Sequence, residues 1–207
     1  MGEVDGRGRR KWQLWLILIM TGGVLLGGFL IFPDSEEEKN RLLNVLGTSN
    51  RGILLQPTVP MTTLVAKYQG EPWLWSELNP KWRLVLPVVN GCDAACMDML
   101  YLSRQVHVRL DKQAHRLQRI LLNLGAPLDQ QTLDLLGREH VYLKVISADA
   151  EAFAGLLTGT NAGWQPDSAM LFVVDQRSEL MMWYTPQHSG EDMLADLKHL
   201  LKYSPER

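Results

Sequence analysis

The hydrophobic and polar positions change character twice along the chain. From Trp12 to Phe32 the sequence is WQLWLILIMTGGVLLGGFLIF, without a charged residue. That run matches the length a helix needs to cross a hydrocarbon core of about 30 Å. Residues 33–60 turn acidic and then mixed, closing on Gln56-Pro57-Thr58-Val59-Pro60. Beyond residue 60, short apolar runs alternate with amphipathic stretches, each bounded by polar or Gly/Pro breaks.

Those runs predict an ordered series of elements. Residues 82–89 form a nearly continuous apolar run, as in a strand buried on both faces, with Pro87 awkward in a central position. Residues 97–110 carry Met97, Leu100, Tyr101, Val106 and Leu110 at loosely helical spacing. Residues 119–124 read as a second strand ended by Gly125-Ala126-Pro127. A helix over 129–139, a strand over 141–146 and a helix over 148–157 follow, the last opened by Asp149 and Glu151. Residues 169–174 and 179–184 flank Asp175-Gln176-Arg177-Ser178 as a hairpin, and 190–202 is a helix with Met193, Leu194, Leu197, Leu200 and Leu201 on one stripe. Strands alternating with helices, then a hairpin and a helix, predict a mixed α/β sheet covered on both faces.

Charge decides the topology of the apolar run. Arg7, Arg9, Arg10 and Lys11 precede it, while Asp34, Glu36, Glu37 and Glu38 follow. The positive-inside rule then makes residues 1–11 a cytoplasmic basic N-terminus and 12–32 a single transmembrane helix. Residues 33–60 become a periplasmic connector and 61–207 a periplasmic domain, anchored in a bacterial inner membrane. A cleaved signal peptide is the competing reading, but the run exceeds an ordinary signal core and no small-x-small site follows it before Pro33. The formal net charge is −2, with no long basic block after the first dozen residues, which gives nucleic-acid binding little support. No hydrolase triad, phosphate-binding glycine loop or zinc motif is present.

The two cysteines of the chain, Cys92 and Cys96, stand in Val89-Asn90-Gly91-Cys92-Asp93-Ala94-Ala95-Cys96-Met97. This is the junction between the first strand and the first helix of the domain. Thiols at i and i+4 at a helix start can close a disulfide or jointly hold a soft metal ion. A helix N-terminus favours thiolate near Cys92. The plain structural alternative is a local disulfide, but a bridge closing so short a loop constrains the unfolded chain little.

The order strand, cysteine pair at a helix start, strand, helix, strand, helix, hairpin, helix resembles the thioredoxin-like fold. With Cys-x-x-x-Cys spacing, a single anchor and a periplasmic domain, the chain resembles the Sco/SenC proteins, which help assemble the copper sites of cytochrome c oxidase. The resemblance implies a thioredoxin-like sheet over 61–207, with Cys92 and Cys96 as the redox pair or as copper ligands. It implies a respiratory oxidase subunit in the membrane, or another copper-assembly factor, as partner. It also implies a third, histidine ligand in the loop Gln165-Pro166-Asp167-Ser168, where this chain has Asp167. Aspartate is a hard ligand poorly matched to Cu(I) beside two sulfurs, so thiol–disulfide chemistry is favoured over copper delivery. The alternative from another class is a non-catalytic thioredoxin-like interaction module with a structural disulfide, docked on a membrane complex.

Other side chains are expected to be structural. His107 lies about three helical turns beyond Cys96, out of reach of a shared ion. His115, His140 and His199 are expected at the solvated surface, and His188 in the loop before the last helix. Met97 and Met99 are expected to pack rather than ligate. Trp73, Trp75 and Trp82 are expected as a satellite core at one end of the sheet, with Trp164 packed in the loop before Asp167.

Overall fold

The computed structural model describes residues 6–31 and 50–205, and the chain divides into the compact units Met1–Ser49 and Asn50–Arg207. In the first unit, helix α1 (Gly6–Ile31) covers most of the expected anchor. Its large apolar side chains from Trp12 to Leu26 are exposed. Among the described residues no helix is long and apolar enough to cross a membrane. The expected connector lies outside the described residues as far as Ser49.

The second unit runs β1 (Ile53–Pro60), β2 (Ala66–Tyr68), β3 (Glu71–Trp73), β4 (Trp82–Val88), α2 (Ala94–Arg109), β5 (Leu117–Asn123), α3 (Gln130–Glu139), β6 (Leu143–Ala148), α4 (Ala150–Leu157), β7 (Leu171–Val174), β8 (Glu179–Tyr184) and α5 (Gly190–Tyr203). One eight-stranded sheet has the order β1-β8-β7-β4-β5-β6-β2-β3. The β4, β5 and β6 strands are parallel neighbours, and the remaining pairings are antiparallel.

Alternation along β4 explains why its whole length is buried. Trp82, Leu84, Leu86 and Val88 face a layer formed by Met99, Leu100 and Val106 of α2 and Met193, Leu194, Leu197 and Leu201 of α5. Val85 faces the opposite layer, with Phe153 of α4, Trp75 and Trp164. Each fully buried side chain of this kind stabilises the fold by roughly 1.5–3 kcal/mol. Pro87 is tolerated in this central strand because pairing of β4 with β7 stops at Val85↔Phe172. Its missing N–H therefore falls beyond that ladder.

Several boundaries differ from the sequence expectation. The segment 53–60, expected as connector, is an edge strand on β8 whose register breaks between Leu54 and Val59. Pro57 lies within that break, where the ladder has no N–H to use. The domain thus gains β1, β2 and β3, the last two only three residues each, too short to carry a period. Helix α2 begins at Ala94 rather than Met97, because the Asp93 side chain caps it by accepting from the Cys96 amide. Its buried stripe is Cys96, Met99, Leu100, Ser103 and Val106, and Tyr101, expected inside, is 52% exposed.

Asp196 of α5 fixes the start of the domain to its end. Its carboxylate accepts from the Arg51 and Gly52 amides at 2.9 and 2.8 Å and from the Tyr184 hydroxyl at 3.0 Å. Gly52 packs so closely on the Tyr184 ring that a β-carbon would lie 2.6 Å from it.

Candidate redox site

The site forms where β4 ends. Gly91 takes a left-handed conformation, φ +80°, which turns the chain out of the strand at little steric cost only for glycine. Cys92 follows, Asp93 caps α2, and Cys96 lies in the first turn. The cysteines are joined as a disulfide, with Cα atoms 5.2 Å apart. Their environments differ. Cys96 is 3% exposed, whereas Cys92 is half-buried and lines an open groove of about 660 Å³ with Asn90, Pro127 and Thr132. Cys92 is therefore the more accessible sulfur of the pair and Cys96 the buried one.

The opposite wall of the groove depends on Gly125. A β-carbon there would sit 1.7 Å from the Val89 carbonyl oxygen, so the turn after β5 presses backbone to backbone on the strand that leads to Cys92.

Asp93 alters the electrostatics expected of a helix start. Its carboxylate accepts the Cys96 amide hydrogen at 2.9 Å. An amide that would otherwise help stabilise thiolate is thus already bonded to an anion. Asp167 comes to the same place as expected, lining with Cys96, Asp93 and Pro166 a cavity of about 90 Å³. Among the described residues, no group of three or more His, Cys, Asp or Glu side chains is arranged to hold a metal ion. A three-ligand copper centre does not fit these residues.

The histidines are engaged elsewhere. His188 Nδ1 accepts from the Thr185 amide at 3.0 Å, closing the turn before α5. His107 Nε2 donates to the Ala114 carbonyl at 2.9 Å, and His115 Nδ1 donates to the Lys112 carbonyl at 2.8 Å. The His199 and Tyr203 rings meet at a tilt of 54° with centroids 4.8 Å apart. His140 departs from expectation: it is buried, not solvated. Its Nδ1 accepts from Arg119 Nη2 at 3.2 Å. Burial first, then the Arg119 and Arg104 charges, lowers its pKa to about 4.

Packing accounts for the methionines and tryptophans near the motif. Met99 is buried and Met97 packs against the same layer. Trp164 meets Phe153 edge to face at 5.1 Å. Trp73 and Trp75 lie in the layer with Phe153, while Trp82 lies in the other layer and donates to Ser204 Oγ.

A mixed sheet between helices, with a cysteine pair at the end of a central strand and the start of the next helix, defines a thioredoxin-like protein. The family profile described as "Transmembrane-like, thioredoxin-like, C-terminal domain" matches residues 82–204. The chain belongs to this family. No curated protein matches it. Among solved structures it is similar to apo Sco1 from Thermus thermophilus (20% identity, 74% of this chain and 99% of that one, TM-score 0.54). Copper-bound yeast Sco1 is similar as well (10% identity, 77% and 97%, TM-score 0.55). A third is BsSco, a member of the Sco family of cytochrome c oxidase assembly proteins in which a disulfide switch was identified (10% identity, 72% and 96%, TM-score 0.53). At these identities the likeness establishes a Sco-like thioredoxin fold.

Proposed function

We propose that the protein is a membrane-anchored, periplasmic accessory factor for assembly of the copper site of a respiratory oxidase, and that it acts by thiol–disulfide exchange at Cys92 and Cys96. The observation that carries this reading is the asymmetry of the pair, with Cys92 lining an open groove and Cys96 buried beneath it. The exposed apolar side chains of α1 support the anchor, and the direction of the assembly role follows the Sco-like fold.

In the reduced protein the Cys92 thiolate attacks one sulfur of a disulfide on the recipient, forming a mixed disulfide and displacing the recipient's other sulfur as a thiolate. The Cys96 thiolate then attacks Cys92 Sγ, releasing the recipient as a dithiol and leaving the Cys92–Cys96 disulfide. Two electrons pass to the recipient, and a second dithiol protein returns them. Copper delivery is the lesser reading: Asp167 stands where the Sco-like site would use histidine, and aspartate suits Cu(I) poorly. A silent module with a structural disulfide is a further reading, favoured by the Asp93 cap that welds the motif to α2.

Trapping tests the proposal. In cells making Cys96→Ser protein, Cys92 should be caught as a mixed disulfide with an oxidase subunit or another copper-assembly factor, and Cys92→Ser should abolish both the adduct and oxidase assembly. Normal oxidase assembly in Cys92→Ser cells would refute it.

A further inference from the structure

A second cavity, of about 600 Å³, lies at the other end of the parallel strands, where Lys81 leads into β4. The seven residues of β4 separate it from Cys92, which at about 3.3 Å per residue is roughly 20 Å. That volume suits a small organic molecule.

Its lining is positive and uncompensated. Lys81 and Lys144 both face it, and no carboxylate lines it among the described residues. Neither lysine belongs to an ion pair there. The Lys144 ammonium stands 4.1 Å from the centre of the Tyr68 ring, which positions it without cancelling its charge. Behind the wall, buried Arg119 donates to Ser103 Oγ at 3.0 Å and the Leu100 carbonyl at 2.8 Å, besides its bond to the His140 ring. All three acceptors are neutral. Arg119 is held down to about 10 by burial first and then by another cation, Arg104. His107, also on the cavity wall, responds to the same field: burial first, with Arg119 and Lys81 adding, lowers its pKa against the bond to Ala114. Fixed positive charge along a low-dielectric wall attracts an anion more strongly than the same charge in water.

Beside polar His107, His115 and Gln118, part of the lining is apolar and open. Val141 and Tyr142 are 72% and 77% exposed, and the Tyr142 ring meets His107 edge to face at 6.2 Å. Leu117 lines the cavity with them. Such a surface offers contact to an apolar body rather than to a bare ion.

We propose that this cavity binds an amphipathic organic anion, its charged group against Lys81 and Lys144 and its apolar part against Leu117, Val141 and Tyr142. The charge can come from a soluble metabolite or from a phospholipid headgroup, and one titration separates them. Phenyl phosphate added to the full chain in zwitterionic detergent should give saturable one-to-one heat, with inorganic phosphate weaker. Lys81→Glu should weaken phenyl phosphate about tenfold or more, the scale of a lost charge-assisted bond, and Lys81→Gln should act in the same direction with the stem's packing kept. Neither should move the reduction potential of the distant cysteine pair. In nanodiscs, blocking by phosphatidylglycerol but not by phosphatidylcholine assigns the site to anionic lipid, and binding in both assigns it to a soluble anion. Absence of saturable heat in detergent, loss of binding in both lipids, or unchanged affinity in Lys81→Gln would overturn the proposal.

Discussion

The Asp93 carboxylate accepts the Cys96 amide hydrogen at 2.9 Å, so the residue that follows the reachable sulfur also caps the helix that carries the buried one. Capping and thiol reactivity are coupled through one side chain, and substitution can separate them. Asp93→Asn keeps an acceptor for the cap but removes the anion beside the pair. Asp93→Ala removes both. Asn should alter stability by only a few tenths of a kcal/mol and Ala should cost about 1 kcal/mol. In the reduced protein both should speed alkylation of Cys92 by iodoacetamide at pH 7, because a neighbouring negative charge disfavours thiolate. Denaturant melts and alkylation rates check the two effects independently.

Gly125→Ala should damage the site without touching a sulfur. The new methyl would meet the Val89 carbonyl oxygen, and backbone cannot yield as a flexible side chain does. A loss of about 1–3 kcal/mol is expected, as for other overpacked positions. Disulfide exchange should also change, since the turn at Gly125 and the segment from Val89 to Cys92 line the same groove. Urea unfolding with parallel exchange kinetics measures both.

Asp196→Ala should be more costly than either. The buried carboxylate serves the Arg51 and Gly52 amides and the Tyr184 hydroxyl, and each buried donor left unpaired costs about 1–3 kcal/mol. Destabilisation of about 3 kcal/mol or more is expected in thermal unfolding. Tyr184 carries a linked pH signature. Burial first, and then Asp196, pushes its pKa far above the ordinary value of 10. Its folded pKa is raised, so the stabilisation is complete below about pH 10 and is lost as pH climbs above it.

His140 gives the opposite sign on the acid side. Its folded pKa, about 4, lies below the ordinary 6.5, so between those values the unfolded chain takes up a proton that the folded chain refuses. This contribution is present above pH 6.5 and is lost as pH falls toward 4, with a slope of at most about 1.4 kcal/mol per pH unit for one site. His140→Asn should flatten that part of the stability profile. Denaturant midpoints from pH 4 to 7, for both proteins, test it.

Asp167→His should convert a poor copper site into a better one. Asp167 and Cys96 line one cavity, so an imidazole there would stand beside the reduced cysteines as a softer donor. Cu(I) affinity, read by competition with a chromophoric chelator, should rise about tenfold or more. An unchanged affinity would mean that the loop does not present residue 167 to the sulfurs.

The core of the domain was legible in the sequence because burial leaves a strong pattern there. Strand β8 falls on 179–184 as expected, and the hairpin, α3 and α5 agree within a residue or two. Asp129 and Asp149, expected inside helices, are instead caps, accepting from the Thr132 and Ala152 amides. The periphery was not legible. Strands β2 and β3 are too short for alternation, and β1 carries Pro57 and polar Gln56 on a sheet edge. At the candidate site, the spacing allowed the disulfide that joins the cysteines, and the loop order placed Asp167 on a cavity with Cys96. The Asp93 cap was missed although a capping residue three positions before Cys96 was a readable signal. Buried His140 gave none, because its burial depends on Arg119, distant in sequence and brought to it by the fold.

The reduction potential of the Cys92–Cys96 pair, equilibrated against glutathione or dithiothreitol in the full chain, bears most directly on thiol–disulfide exchange as the working chemistry. A functioning pair should fall between about −120 and −270 mV, the span of thiol–disulfide exchange proteins. A potential below about −300 mV, where structural disulfides lie, would contradict it.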